Sequence, residues 1–148
     1  MDKKFSVLTL LIFFIFGSVS IYAQPQPDTP KLVQQENNGF TIMGKASNGN
    51  DETPGEWYIG STPTNLDPSK PILLFVHGLN STAQVWWEDN NMYQTAYNAG
   101  YQTTFLQLHD AGGYNEAPWD NGQLLAEKIT EISSHFNGKP ITIVAHSK

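Results

Sequence analysis

At 148 residues the chain has room for one modest domain. Its eight basic residues are all lysine and are outnumbered by 14 acidic ones; the net charge of -6 argues against nucleic acid or an anionic membrane as partner, since phosphate would be repelled. With 39% hydrophobic residues and no cysteine, the domain has to be held by its core alone, which fits a sheet-and-helix fold better than a small disulfide-stapled module.

Residues 1–23 read as a secretory signal peptide. Lys3 and Lys4 form a basic head, Phe5 to Phe16 an apolar run, and Gly17, Ser18, Ser20 and Ala23 a small-residue exit. Cleavage is expected after Ala23, although Ile21 is an imperfect small residue three positions back. A permanent anchor is the alternative, but the run is shorter than the roughly 20 apolar residues that a bilayer crossing needs. The mature protein is therefore expected outside the cell, with no integral membrane span. Residues 24–38 are polar and Pro-rich and read as an extended leader with little structure. The folded domain is expected over 39–148. Gly39 to Gly44 and Glu56 to Gly60 suggest two strands forming an antiparallel hairpin at the sheet edge, separated by the turn-forming segment SNGNDETPGE.

From Lys70 the pattern sharpens. Pro71 to Val76 is apolar without alternation, as in a strand covered on both faces of a parallel sheet, and it ends at His77-Gly78-Leu79-Asn80. Ser81 and Gln84 then have the spacing of a capping box, opening a helix that carries Val85, Trp86, Met92 and Ala96 and stops at Gly100. Tyr101 to Leu108 reads as the next strand. A second helix is expected from about Asp120 to Asn137, with Leu125, Ile129, Ile132 and Phe136 on one apolar stripe, closed by Gly138 and Pro140. Ile141 to Ala145 is the last strand. The alternation of strand and helix predicts an α/β fold: a mostly parallel sheet with flanking helices and an antiparallel N-terminal hairpin.

Three segments in this order carry a resemblance: FVHGLN after one strand, DNGQLLAEKI opening the second helix, and ITIVAHS at the end. From about Lys70 to Lys148 the chain resembles the first half of an α/β-hydrolase of the secreted bacterial lipase type. The resemblance implies an ester hydrolase acting on acyl-ester or lipid substrates without a cofactor. In such proteins the nucleophilic serine sits in a G-x-S-x-G turn between strand and helix, flanked by small residues where elements converge. Ser147 takes the nucleophile's place, Ala145 is the first small residue, and His146 fills the variable position. Taken alone, AHSK would read as an ordinary strand-end serine; the upstream His77-Gly78 loop tips the reading. The resemblance also implies an oxyanion hole made of the backbone N–H groups of Leu79 and Lys148. Gly78 would allow close approach of the chain, and His77 would be structural beneath the loop rather than the catalytic base.

The second small residue of the turn would follow Lys148, and this fold supplies its acid and then its histidine after the serine. The 148 residues are accordingly expected to be the amino-terminal portion of a hydrolase and inactive alone, with the last strand left exposed at its edge. His109 and Asp110, at the end of a strand, read as surface loop or cleft lining, and no spacing suggests a metal site. His135 is expected on the solvent side of its helix, favoured by the helix dipole. Trp86, Trp87 and Trp119 read as packing residues rather than an acyl groove. The competing readings are a non-catalytic exported binding module and an amide or thioester hydrolase of the same fold.

Overall fold

The apolar run before His77 forms an interior strand, paired on both sides, as its pattern demands. In the computed structural model, which describes residues 24–36, 39–45, 53–109 and 118–146, six strands make one mixed sheet. They are β1 (Lys31–Glu36), β2 (Gly39–Lys45), β3 (Trp57–Ile59), β4 (Ile72–Val76), β5 (Thr103–Leu106) and β6 (Ile141–Ala145), in the spatial order β2-β1-β3-β5-β4-β6. β5, β4 and β6 are parallel; β1 pairs antiparallel with both β2 and β3, and β3 antiparallel with β5. Residues 1–23, expected from the sequence to be a signal peptide, and Asp110, Ser147 and Lys148 lie outside the described residues.

Because β5 and β6 flank β4 on opposite sides, crossovers of the same hand place their helices on opposite faces. Two apolar clusters follow. On one face Phe75 and Phe105 stack at 5.3 Å and meet Trp86, Tyr93, Ala96 and Tyr97 of the chain leading to β5. On the other, Leu74, Val76, Leu106 and Leu108 pack with Val33, Trp57 and the buried Ile132 of the second helix. Burying each such aliphatic side chain contributes about 1.5–3 kcal/mol. α2 (Pro118–His135) presents Leu125, Ile129, Ile132 and Phe136 to this cluster, the stripe read from the sequence. Its end is a Schellman motif: Gly138 N–H donates to the Ser133 carbonyl at 2.8 Å and Asn137 N–H to Ser134 at 3.2 Å. The left-handed first position is Asn137 (φ 56°), one residue before the glycine expected to close the helix.

Three expectations need correction. The segment 24–38 is not structureless. Lys31–Glu36 is β1, and it inserts between the two strands expected to pair, so that β2 pairs with β1 and β3 lies beyond it. Residues 24–30 strap the helix after β4: Gln94 Nε2 donates to the Pro25 carbonyl at 2.8 Å, and Asp28 N–H donates to Ser61 Oγ at 3.1 Å. The hydroxyl of Tyr93 accepts the Ser61 N–H at 2.7 Å and donates to the Asp28 carbonyl at 3.0 Å. Burial raises the pKa of that phenol and so keeps the proton the second bond uses.

Nor does the expected helix start at Ser81. A 3-10 turn over Ala83–Trp86 follows Thr82, which makes no side-chain cap bond, and α1 proper is Met92–Asn98. Trp86 and Trp87 are adjacent in sequence and so lie about 100° apart on a continuous helix. Breaking it lets Trp86 reach Phe75 at 5.0 Å and Trp87 reach Phe105 at 5.0 Å, packing as expected of both. Asn90 bridges the break, donating to the Val85 carbonyl at 2.6 Å and accepting the Met92 N–H at 2.8 Å. Gly100 (φ 80°) ends α1 as expected, and a side chain there would also meet the Asn65 carbonyl at 2.6 Å.

Finally, His135 does not face solvent. It is half-buried, edge-on to Trp57 at 5.3 Å and to Phe136 at 4.8 Å, and burial lowers its pKa. Desolvation here outweighs the dipole, which is worth only about 0.3–1 kcal/mol at an exposed helix end.

Candidate active site

β4 and β6 run side by side with Val76 opposite Ala145, and His146 N–H donates to the Val76 carbonyl at 3.1 Å. Adjacent strands lie about 4.8 Å apart, so the loop after β4 and the residues after β6 leave the sheet at the same edge. The His77-Gly78 and Ala145-His146 segments, distant in sequence, are brought together. Their carboxyl-end position is where open α/β sheets place ligands.

The loop is fixed from below by His77, 2% exposed. Its Nε2 accepts the Leu108 N–H at 2.9 Å. A backbone N–H can only donate, so Nε2 carries its lone pair and the ring is neutral with its proton on Nδ1. Nδ1–H then donates to the Gly78 carbonyl at 2.8 Å. That carbonyl and the Leu79 N–H belong to one planar trans peptide and point opposite ways, so the bond holding the carbonyl inward aims the N–H outward. Leu79 itself is 39% exposed, and the left-handed residue of the turn is Asn80 (φ 53°), a residue type that tolerates that region. Both nitrogens of His77 are engaged in hydrogen bonds beneath the loop.

His109 closes the end of β5 onto α2: its N–H donates to Asn121 Oδ1 at 3.0 Å. With Asp120, Gln123, Leu124 and Glu127 it lines an open cleft of about 300 Å³ at this end of the sheet. His146 is exposed. Among the described residues no cluster of His, Cys, Asp or Glu could hold a metal ion. No helix among them is long and apolar enough to cross a membrane. Sequence reasoning missed Gln107, 0% exposed directly after β5. The available signal was a lone amide at the end of the buried run TTFLQL.

The chain is similar to solved structures of a lipase. One is the Bacillus licheniformis lipase BlEst2 in its propeptide form: 37% identical, with a TM-score of 0.58, covering 66% of this chain and 20% of that one. The same lipase in its mature form is 36% identical, with a TM-score of 0.57, covering 64% of this chain and 36% of that one. The similarity to bacterial lipases read from the motifs therefore holds over about two thirds of the chain, which itself spans a fifth to about a third of those lipase chains. No protein-family model and no curated protein matches it.

Proposed function

We propose that the chain is part of a serine ester hydrolase, a lipase or carboxylesterase, with Ser147 as nucleophile and the N–H groups of Leu79 and Lys148 as oxyanion hole. The register of β4 on β6 carries the reading, because it sets the end of Ala145-His146 beside the loop whose Leu79 N–H is aimed outward. Similarity to a lipase over this region supports it. In the reaction Ser147 Oγ adds to the ester carbonyl, the oxygen of the tetrahedral intermediate takes the negative charge, and the N–H groups hold it. The C–O bond then breaks, the alcohol leaves with a proton, and water releases the acid from the acyl-enzyme.

A serine hydroxyl needs a base to give up its proton. His77 cannot serve, since its Nε2 lone pair already accepts the Leu108 N–H and its Nδ1–H is bonded to Gly78. His135 is packed among the aromatic rings of Trp57 and Phe136. Inactivity of the 148 residues alone is part of the proposal. Residues 1–23 act as an export signal in this reading, and the protein works outside the cell.

The test uses the complete reading frame that contains these residues, assayed on a chromogenic short-chain ester with and without Ser147→Ala. Turnover that falls to near background in the variant is the expected result. Turnover that survives it overturns the reading, and so does Ser147-dependent turnover by the 148-residue chain for the claim that it is inactive alone.

A further inference from the structure

We propose that Gln107 is the positioning residue of the oxyanion loop, acting through His77; the inference rests on the ester-hydrolase reading and names a residue that this reading does not require. Gln107 follows β5 and is fully buried. Its Oε1 accepts the Ala83 N–H at 2.9 Å, and its Nε2 donates to the Leu108 carbonyl at 3.1 Å and to His77 Nε2 at 3.0 Å. The amide has only one workable orientation. Ala83 N–H can only donate and the Leu108 carbonyl can only accept, so a flipped amide would set donor against donor and acceptor against acceptor.

One side chain thus ties both ends of the loop to the end of β5. At the far end it anchors Ala83, where the 3-10 turn starts. At the near end it helps hold the lone pair of His77 on Nε2, which leaves the ring proton on Nδ1 for the Gly78 carbonyl. Through the Gly78–Leu79 peptide plane that proton sets the direction of the Leu79 N–H. Only an amide does this. Methionine fills the space but bonds neither end. Glutamate keeps the acceptor for Ala83 but turns a second oxygen, which as a carboxylate has no hydrogen to give, toward the Leu108 carbonyl and the His77 lone pair, so the near end of the tie is lost. A buried polar network of this kind is worth keeping only if every member is satisfied.

The experiment is ¹⁵N NMR on the product of the complete reading frame, comparing wild type, Gln107→Met and Gln107→Glu. In the wild type His77 shows one protonated and one bare ring nitrogen, and the Leu79 N–H vector is as ordered as a strand amide, with an order parameter of about 0.85. In Gln107→Met the Leu79 value falls below about 0.6 while Phe75 and Phe105 keep theirs. In Gln107→Glu, which keeps the Ala83 acceptor and serves if the methionine variant does not fold, the Leu79 value falls as it does in Gln107→Met. A Leu79 vector as rigid in Gln107→Met as in wild type overturns the role, and so does loss of order spread equally over Phe75 and Phe105. A Leu79 vector as rigid in Gln107→Glu as in wild type overturns it too. The two readings fail separately: a loosened Leu79 beside ester turnover that survives Ser147→Ala keeps the positioning role and removes the hydrolase.

Discussion

Val76 and Ala145 are register partners across β4 and β6, and the N–H of the next residue, His146, closes onto the Val76 carbonyl at 3.1 Å. This pairing converts two short motifs into one place. Parallel pairing requires a crossover between the strands, and the described segments Met92–Asn98 and Pro118–His135 supply helices for the two crossovers that β4, β5 and β6 need. Slipping β6 by one residue would reverse which of its side chains meets each cluster, taking Val144 away from the Phe75 face. The site and the core thus depend on the same register.

Removing the imidazole beneath the loop tests the first support. His77→Ala leaves the Leu108 N–H and one of the two Gln107 amide hydrogens without their acceptor in a buried space, the other amide hydrogen keeping the Leu108 carbonyl. Each orphaned group costs about 1–3 kcal/mol. Urea unfolding is expected to show a loss of at least about 2 kcal/mol; a change within about 0.5 kcal/mol would contradict the bonding described here.

Two glycines hold contacts that no side chain can share. At Gly60 an added methyl would collide with Thr103 Oγ1 and come within 2.8 Å of the Tyr93 ring. At Gly100 it would meet the Asn65 carbonyl at 2.6 Å and a left-handed backbone. Gly60→Ala and Gly100→Ala are each expected to destabilise by about 1–3 kcal/mol. Gly122→Ala is the control: nothing lies within 4 Å of its position, it sits inside α2, and the substitution should stabilise by up to about 1 kcal/mol. Thermal melts of the three variants order them.

His135 gives stability a pH dependence of definite sign. Burial lowers its folded pKa below the ordinary 6.5, so between the two values the unfolded chain binds the extra proton. Its contribution is intact above 6.5 and is lost as pH falls through that window. Urea midpoints at pH 7.5 and pH 5 should therefore differ less in His135→Gln than in wild type. An equal or larger difference in the variant would contradict the burial of the ring.

How much of this was readable in advance follows from where the information resides. β4, β6 and α2 declare themselves in their own side chains: Ile72 to Val76 is a continuous apolar run, Ile141 to Ala145 is apolar but for the β-branched Thr142, and the α2 stripe repeats with the helical period. β1 does not, because KLVQQE is polar, and its strand state comes from backbone bonds to β2 and β3 rather than from its own pattern. The broken helix after His77 reflects a tertiary demand, two adjacent tryptophans packing inward, that overrides a plausible local cap. In the site, the HG loop and the AHS segment were legible as motifs. The Gln107 bonds were not, since they join residues from three segments and nothing at position 107 alone names its partners.

The exposed Leu79 separates side chain from backbone. If only its N–H serves the reaction, Leu79→Ala keeps kcat/KM within about threefold on a short-chain ester. Leu79→Pro, which lacks that N–H, loses on the order of 10²–10³ in kcat. Equal losses in the two variants would place the contribution in the side chain.

The most direct measurement of the central claim is covalent. A fluorophosphonate that reacts only with an activated serine is added to the product of the complete reading frame, and the adduct is mapped by mass spectrometry. The account predicts a single adduct on Ser147, absent in Ser147→Ala. An adduct on another serine, or ester turnover with Ser147 left unlabelled, would contradict it.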